Sequence, residues 1–328
     1  MRNIVAECQA LRGPGSVKIS NRELPELKSG EVLIEVVAAA LNFPDLLMTY
    51  GKYQFKPEPP FAVGMEGAGR IVALGPDVQK FKVGMDVMFR GKTGAAATYK
   101  VADASDVSPM PTTLDFEAAA AFGVTFQTAY VALAKRGRLK PGESVLIHGA
   151  GGGVGQASVA VAKAMGARVI ATASSAEKGE IAKQSGADHV INYMEADFAQ
   201  HVMAATGGRG ADLVLDPVGG EILNKSLSCL AWQGRILTVG FASGSFGNID
   251  LSHLQSLSGS IVGVRAGEYG RRNPEAGQIA FNEMLQLTEQ HGLSPYIGKV
   301  WELGEIVPAL KAMETRSVIG KQVIRIDR

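Results

Sequence analysis

The chemistry most plainly written into this chain lies in Val145-Leu146-Ile147-His148-Gly149-Ala150-Gly151-Gly152-Gly153-Val154-Gly155, an apolar run that ends in glycines. A helix-forming stretch follows through Ala167, with small residues at Ala157, Ala160 and Ala164. Glycines let a backbone approach a pyrophosphate closely, and the free amides and positive dipole at a helix start hold its charge. Set on a G-x-G-x-x-G frame, the first position is Ala150, followed by Gly152 and Gly155, a departure from the full motif. An isolated glycine turn can equally be a tight strand-to-helix connection. Context separates the two readings, because five further strand-like runs alternate with helix-length segments downstream. Ala150, Gly152, Gly153, Val154 and Gly155 are therefore expected to cradle a dinucleotide.

About twenty residues further on, at the end of the next strand, an NAD site places an acid on the ribose 2′-hydroxyl. Here the chain reads Ala171-Thr172-Ala173-Ser174-Ser175-Ala176-Glu177-Lys178, with no acid at the strand end. Ser174 and Lys178 can hydrogen-bond and neutralise a 2′-phosphate, with Tyr193 at the end of the third strand flanking it. NADPH is the expected cofactor. Ser174 can also cap the following helix, with Lys178 a solvated residue one turn later; capping and phosphate binding are compatible.

Metal chemistry finds little support. The two cysteines, Cys8 and Cys229, form no C-x-x-C pair, and the five histidines (148, 189, 201, 253 and 291) have no partners at ligand spacing. No metal is expected, and a reducing cytoplasm suits this cysteine usage. Lysine plus arginine (33) nearly equals aspartate plus glutamate (32), so no net field draws the chain to nucleic acid or to an anionic membrane. Glu7 interrupts any signal-like core at the N-terminus, and no stretch of about 18 uncharged apolar residues occurs.

The elements that must position these residues fall into two rhythms. Up to about residue 110 the apolar runs are short and broken by glycine and proline: Val32 to Val37, Gly69 to Leu74, Met85 to Phe89 and Ala95 to Val101. They predict a β-rich domain. Pro109 and Pro111 mark a boundary, and Leu114 to Ala134 predicts a helix. Six strand-like runs follow: Ser144 to His148, Arg168 to Thr172, His189 to Tyr193, Ala211 to Asp216, Gly234 to Gly240 and Ser260 to Val264. Strands apolar on both faces, alternating with helices, form a doubly wound parallel sheet. Beyond Asn273-Pro274, helices near 275–290 and 305–315 and strands near 297–303 and 321–326 do not extend that sheet. They are expected to return to the first domain.

Taken together, several segments resemble zinc-free quinone oxidoreductases of the medium-chain dehydrogenase/reductase superfamily. They are Asn42-Phe43-Pro44-Asp45, Gly51-Lys52-Tyr53, Gly64-Met65-Glu66-Gly67-Ala68-Gly69, Gly123-Val124-Thr125, the Ala150 to Gly155 turn and Asp216-Pro217-Val218-Gly219-Gly220. The resemblance implies an α/β fold: a GroES-like β-rich catalytic domain (1–122), a Rossmann NADPH-binding domain (123–266) and a C-terminal return to the catalytic domain (267–328), with the active site in the cleft between domains. Where zinc alcohol dehydrogenases of the superfamily carry cysteine and the histidine of GHE, this sequence has Asn42 and Met65.

Without a Lewis acid, hydride addition to a quinone or conjugated enone is favoured over alcohol oxidation, since a hydroxyl, amide or water can satisfy the oxygen that gains charge. Tyr53 is the expected donor or orienting group, with Asn42 beside it; Tyr53 can equally be a loop residue packing on Phe55 or Phe61. The resemblance also sets Thr125, Gly240, Phe241 and the strand 260–264 near the cofactor, each of which can also be ordinary core or turn. Asp216 can cap the next element, and Arg316 and Lys321 can reach the pocket, where Lys321 is counted among the cofactor contacts, or face solvent. Leu46 to Phe61 and Phe241 to Phe246 are expected to line a pocket for a small hydrophobic quinone or enone. A homodimer through the edge strand 260–264 is expected as well. Two other readings stay open: an enoyl-thioester reductase, with Arg265, Arg271 and Arg272 meeting the carrier phosphates, and an NADPH-binding sensor or scaffold with little turnover.

Overall fold

A computed structural model describes residues 2–327. In chain order the strands and helices begin β1 (Arg2–Cys8), β2 (Val17–Glu23), β3 (Glu31–Leu41), α1 (Phe43–Thr49), β4 (Phe61–Ala62), β5 (Glu66–Leu74), β6 (Asp86–Arg90), β7 (Tyr99–Asp103) and β8 (Val107–Pro109). Helix α2 (Phe116–Tyr130) follows and widens into a π-helical turn over Val131–Arg136. The alternating part is β9 (Ser144–Ile147), α3 (Gly153–Ala164), β10 (Arg168–Ala173), α4 (Ala176–Gln184), β11 (His189–Asn192), α5 (Phe198–Ala205), β12 (Ala211–Asp216), α6 (Glu221–Ser226), β13 (Leu230–Thr238), α7 (Leu251–Ser256) and β14 (Ser260–Gly263). The chain closes with α8 (Ala266–Arg272), α9 (Pro274–His291), β15 (Ile297–Glu302), α10 (Ile306–Glu314) and β16 (Lys321–Arg325).

These elements form two compact units, Met1–Val124 with Ser294–Arg328, and Thr125–Leu293. The second boundary therefore lies near 293 rather than 266, and α9 stays with the second unit. Backbone contact explains this: a Cβ on Gly277 of α9 would lie 2.5 Å from the Gly270 Cα of α8, and Ala280 is buried with Val131 and Ala266.

In the first unit a seven-stranded sheet runs β15-β16-β3-β5-β6-β8, with β7 also on β3, beside a three-stranded sheet β2-β1-β4. Strand β16 pairs antiparallel with β3, Gln322 opposite Leu41, which brings Lys321 to the end of β3. The core comprises residues such as Val32, Ile34, Ile71, Phe89 and Ile324, all but inaccessible to solvent. Removing each such side chain from water contributes about 1.5–3 kcal/mol.

In the second unit a six-stranded parallel sheet runs β11-β10-β9-β12-β13-β14, the doubly wound order that reverses between β9 and β12. Successive residues Val145 to Ile147 and Leu213 to Leu215 have no exposure at all, as strands covered on both faces require.

Several boundaries differ from the sequence reading. Strands β1 and β2 escape it because β2 is mostly exposed and carries Lys18, Arg22 and Glu23. The run Ala95 to Val101 becomes a strand only at Tyr99, since Ala95 to Ala97 turn to bond Gly64, Val63 and Ala6. Strand β13 starts at Leu230, bulging at Gln233, whose φ is 59°. Helix α3 stops at Ala164 because Gly166 takes a left-handed φ of 78°.

Candidate functional site

In the second unit, β9 hands over to α3 through a turn whose packing admits almost no side chains. The Gly152 amide donates to the Gly149 carbonyl (3.0 Å), and Ala150 donates to Thr172 of β10 (3.0 Å). A Cβ on Gly155 would sit 2.2 Å from the Gly149 oxygen. Gly152 is the N-cap of α3, exposed and without a side-chain cap, and Gly153 and Val154 beside it are half-buried. An anion fits here: the uncapped first amides need acceptors, and the missing side chains leave room for one.

The end of β10 closes onto the same turn. Ser175, not Ser174, caps α4 by accepting the Lys178 amide (3.3 Å), so the Ser174 hydroxyl stays outside the cap. The aliphatic stem of Lys178 lies across Gly151, where a Cβ would come within 2.6 Å of the lysine Cβ. Lys178, a half-buried residue of α4, thus packs its stem on the turn. Tyr193 donates its amide to Ala173 (3.1 Å) and is 39% exposed at that same strand end.

The turns after β12 and β13 adjoin it. A Cβ on Gly149 would touch Pro217 and Val218 at 3.6 Å. Ala242 and Ser243 donate amides to Pro217 and Val218, and Gly220 donates to Ser245, so the two turns are stitched together. Gly240 fits because a Cβ there would stand 3.1 Å from the Pro217 oxygen, and the Phe241 and Phe246 rings meet at 4.8 Å. Asp216 caps its turn: Oδ1 accepts the amides of Val218 (2.7 Å) and Gly219 (2.9 Å). Its Oδ2 is buried with no protein partner, and burial raises the carboxyl pKa.

His148, which the sequence reading gave no role, braces the turn from below. Its Nδ1 lies 3.0 Å from Thr172 Oγ1 and its Nε2 2.9 Å from Ser226 Oγ. Ser226 donates its own proton to Ile222, so we assign the imidazole proton to Nε2 and let Nδ1 accept from Thr172. Full burial pushes the histidine down to about 3, so it is neutral.

The first unit holds a different arrangement. Lys321 is buried, and its ammonium donates to Asn42 Oδ1 (2.8 Å), Glu66 Oε1 (2.8 Å) and the Leu41 carbonyl (3.2 Å). Asn42 Nδ2 donates to Glu66 Oε1 (2.9 Å), and Glu66 Oε2 accepts the Val124 amide (2.7 Å). Asp45, fully buried, accepts the amides of Asn42 (2.8 Å) and Gly64 (3.2 Å), and burial raises it to about 7. Two sequence expectations change. Lys321 spends its three protons on Asn42, Glu66 and the Leu41 carbonyl, where the sequence had offered it to the cofactor. Asn42 is bound to Glu66 and Lys321, an engagement within the core that the sequence did not reveal.

Tyr53 is half-buried in the loop after α1 and packs against the core cluster that contains Phe61. Thr125 is buried in α2. Glu66 was legible as an acid inside an apolar, glycine-rich run, but its partners come from three distant segments. The donor set does not fit zinc: Asn42 and Glu66 already surround an ammonium, and Met65 offers a thioether. Among the described residues no group of three or more histidine, cysteine or acidic side chains is arranged to hold a metal ion.

Residues 28–112 match the alcohol dehydrogenase GroES-like domain family, and residues 153–288 match the zinc-binding dehydrogenase family. The quinone oxidoreductase-like protein 2 homolog of Nematostella vectensis is 34% identical over 301 residues, 91% of this chain and 82% of that protein. The chain belongs to the medium-chain dehydrogenase/reductase superfamily. Quinone oxidoreductase-like protein 2 of Bos taurus is 33% identical over 90% of this chain and 85% of that protein. Among solved structures, mycobacterial Rv1454c complexed with NADPH is 30% identical with a TM-score of 0.89, covering 98% of this chain and 99% of that one. The Pseudomonas syringae pv. Tomato DC3000 quinone oxidoreductase is 29% identical at a TM-score of 0.89 (98% and 99%). CurK enoyl reductase is 28% identical at 0.89 (99% and 99%). This member of the superfamily is an oxidoreductase with a GroES-like domain and a Rossmann-type parallel sheet.

Proposed function

We propose that this oxidoreductase uses NADPH to reduce a quinone or conjugated enone, without a metal. The observation that carries the cofactor choice is Lys178 laid across Gly151 at the end of β10, where Ser174 stands and no acid does. A nicotinamide cofactor also suits the glycine turn, and NADPH is named in the Rv1454c complex. When bound, the nicotinamide supplies the hydride. The amides of Gly153, Val154 and Gly155 would hold the diphosphate beside Gly152, and Ser174 and Lys178 would hold the 2′-phosphate with Tyr193 beside it. Tyr53 donates a hydrogen bond to the acceptor oxygen as it gains charge. The quinone acceptor is supported by the quinone oxidoreductase names of the relatives.

A second reading, enoyl-thioester reduction, is favoured by the likeness to CurK enoyl reductase. Loss of nicotinamide absorbance with NADPH against NADH, offered 1,4-benzoquinone, 9,10-phenanthrenequinone or crotonyl-CoA before and after EDTA, tests both. Fast, EDTA-insensitive, NADPH-selective quinone reduction is expected. Preference for crotonyl-CoA moves the activity to enoyl reduction, and NADPH binding with no turnover on any acceptor overturns both.

The same reading includes a homodimer through β14, which lies at the sheet edge with Ser260 and Gly263 exposed. Light scattering that finds only monomer at micromolar concentration contradicts it. A cytoplasmic setting is supported by two buried free thiols, Cys8 and Cys229. Among the described residues no helix is long and apolar enough to cross a membrane.

A further inference from the structure

On α8, three guanidiniums gather around one carboxylate. Glu268 accepts from Arg271 at 2.6 Å, with Arg272 at 3.6 Å and Arg265 at 3.9 Å. Two of the three positive charges have no counter-charge in that group, in a chain whose net charge is only +1. The side chains remain 56%, 49% and 81% exposed for Arg265, Arg271 and Arg272. Exposed ion pairs contribute only about 0–1 kcal/mol, so fold stability is a poor reason for three arginines on one acid.

The group is held in place. The Arg271 guanidinium folds over Gly267, where a Cβ would stand 3.1 Å away, and α8 is pressed onto α9 through Gly270 and Gly277. Its position in the sheet is specific. Arg265 lies two residues beyond Gly263, at the carboxyl end of β14, the sheet edge from which the cofactor turns of β9, β12 and β13 also leave. Ligands of doubly wound sheets bind at that edge. Strands β10 and β14 are separated by four strand steps, roughly 19 Å at about 4.8 Å each, too far for a 2′-phosphate held by Lys178 to be shared. With the adenosine half at β10 and the diphosphate at β9, the reactive half of a dinucleotide runs toward β12 to β14, and the acceptor comes from that side.

We infer that Arg265, Arg271 and Arg272 form an anion site for a phosphate carried by the acceptor, as a coenzyme A thioester carries one. This rests on the reading of the chain as an NADPH-dependent reductase and narrows its substrate class. Arginine forks suit phosphate because they donate two parallel hydrogen bonds, which lysine cannot.

The test is a calorimetric titration of the full chain, saturated with NADPH so that its adenine site is filled. The titrants are coenzyme A and its dephospho form, against wild type and R265Q/R271Q/R272Q. Kinetics with crotonyl-CoA, crotonyl-N-acetylcysteamine and 1,4-benzoquinone run in parallel. Wild type is expected to bind coenzyme A with a salt-sensitive affinity that falls roughly tenfold or more in the triple variant. The KM for crotonyl-CoA rises by a similar factor, while NADPH affinity and the KM values of the two phosphate-free acceptors stay within about twofold. Coenzyme A binding that is absent in wild type, or equal in the two proteins, overturns the arginine site. Quinone turnover without coenzyme A binding overturns it too, while leaving the reductase reading intact.

Discussion

The two polar regions of this molecule are built by opposite means. The turn from β9 into α3 works by omission: glycine at 151, 152 and 155 leaves the first amides of α3 without a side-chain cap and lets the Lys178 stem and the Gly149 carbonyl approach within atomic contact. The cluster of the first unit works by insertion, placing Asp45, Glu66 and Lys321 in a core where each is at most 3% exposed. Omission makes room for a ligand whose charge the site is ready to meet. Insertion fills the space with Glu66 and Lys321, which satisfy one another, and with Asp45, which backbone amides satisfy. The first arrangement is therefore open to a ligand, whereas the second holds β3, β5 and β16 in register.

Substitutions on either side sharpen that contrast. Gly155→Val should do the most damage, since even a Cβ would overlap the Gly149 oxygen and no flexible side chain can yield. Loss of roughly 3 kcal/mol or more of stability and of measurable NADPH binding is expected, read by thermal unfolding and cofactor fluorescence. Lys321→Met should cost a comparable roughly 3–5 kcal/mol by stranding the Glu66 carboxylate. Adding Glu66→Gln should recover most of it, and an unimproved double variant would show that the pair does more than satisfy itself.

Acidity offers a third contrast, because the two regions titrate with opposite signs. Asp45 is raised from 3.8 to about 7 in the folded chain, so its contribution is complete below pH 4 and disappears as pH climbs through 7. His148 is lowered from 6.5 to about 3, so its contribution is complete above 6.5 and disappears as pH falls toward 3. Each slope is at most about 1.4 kcal/mol per pH unit. Urea midpoints measured from pH 4 to 8 should lose the alkaline decline in Asp45→Asn and the acidic decline in His148→Gln. Interchanged effects would invalidate the assignment.

Smaller effects should follow at the proposed ligand contacts. Lys178→Ala should weaken NADPH about tenfold and NADH hardly at all, the loss of one charge-assisted hydrogen bond. Equal losses for both cofactors would mean that the lysine only packs on Gly151. Tyr53→Phe should lower turnover several-fold with cofactor affinity unchanged, as loss of one donor to the acceptor oxygen would. An unaltered rate would return Tyr53 to a packing role.

The glycine turn, the alternation of six strands and the lack of an acid at the end of β10 are local patterns, because backbone clearance and two-sided burial constrain neighbouring residues directly. From sequence alone they determined the doubly wound unit, and they pointed to Lys178; the strand order came from the structure. The roles of Asn42 and Lys321 could not be read that way. Lys321 stands 279 positions from Asn42 and 255 from Glu66, and only the β16–β3 pairing brings them together. Which serine caps α4 turned on one residue of register. The place of α9 turned on a glycine contact with α8. Tertiary structure decided these because a buried charge is satisfied by whichever partner the sheet register delivers, and no local pattern encodes that partner.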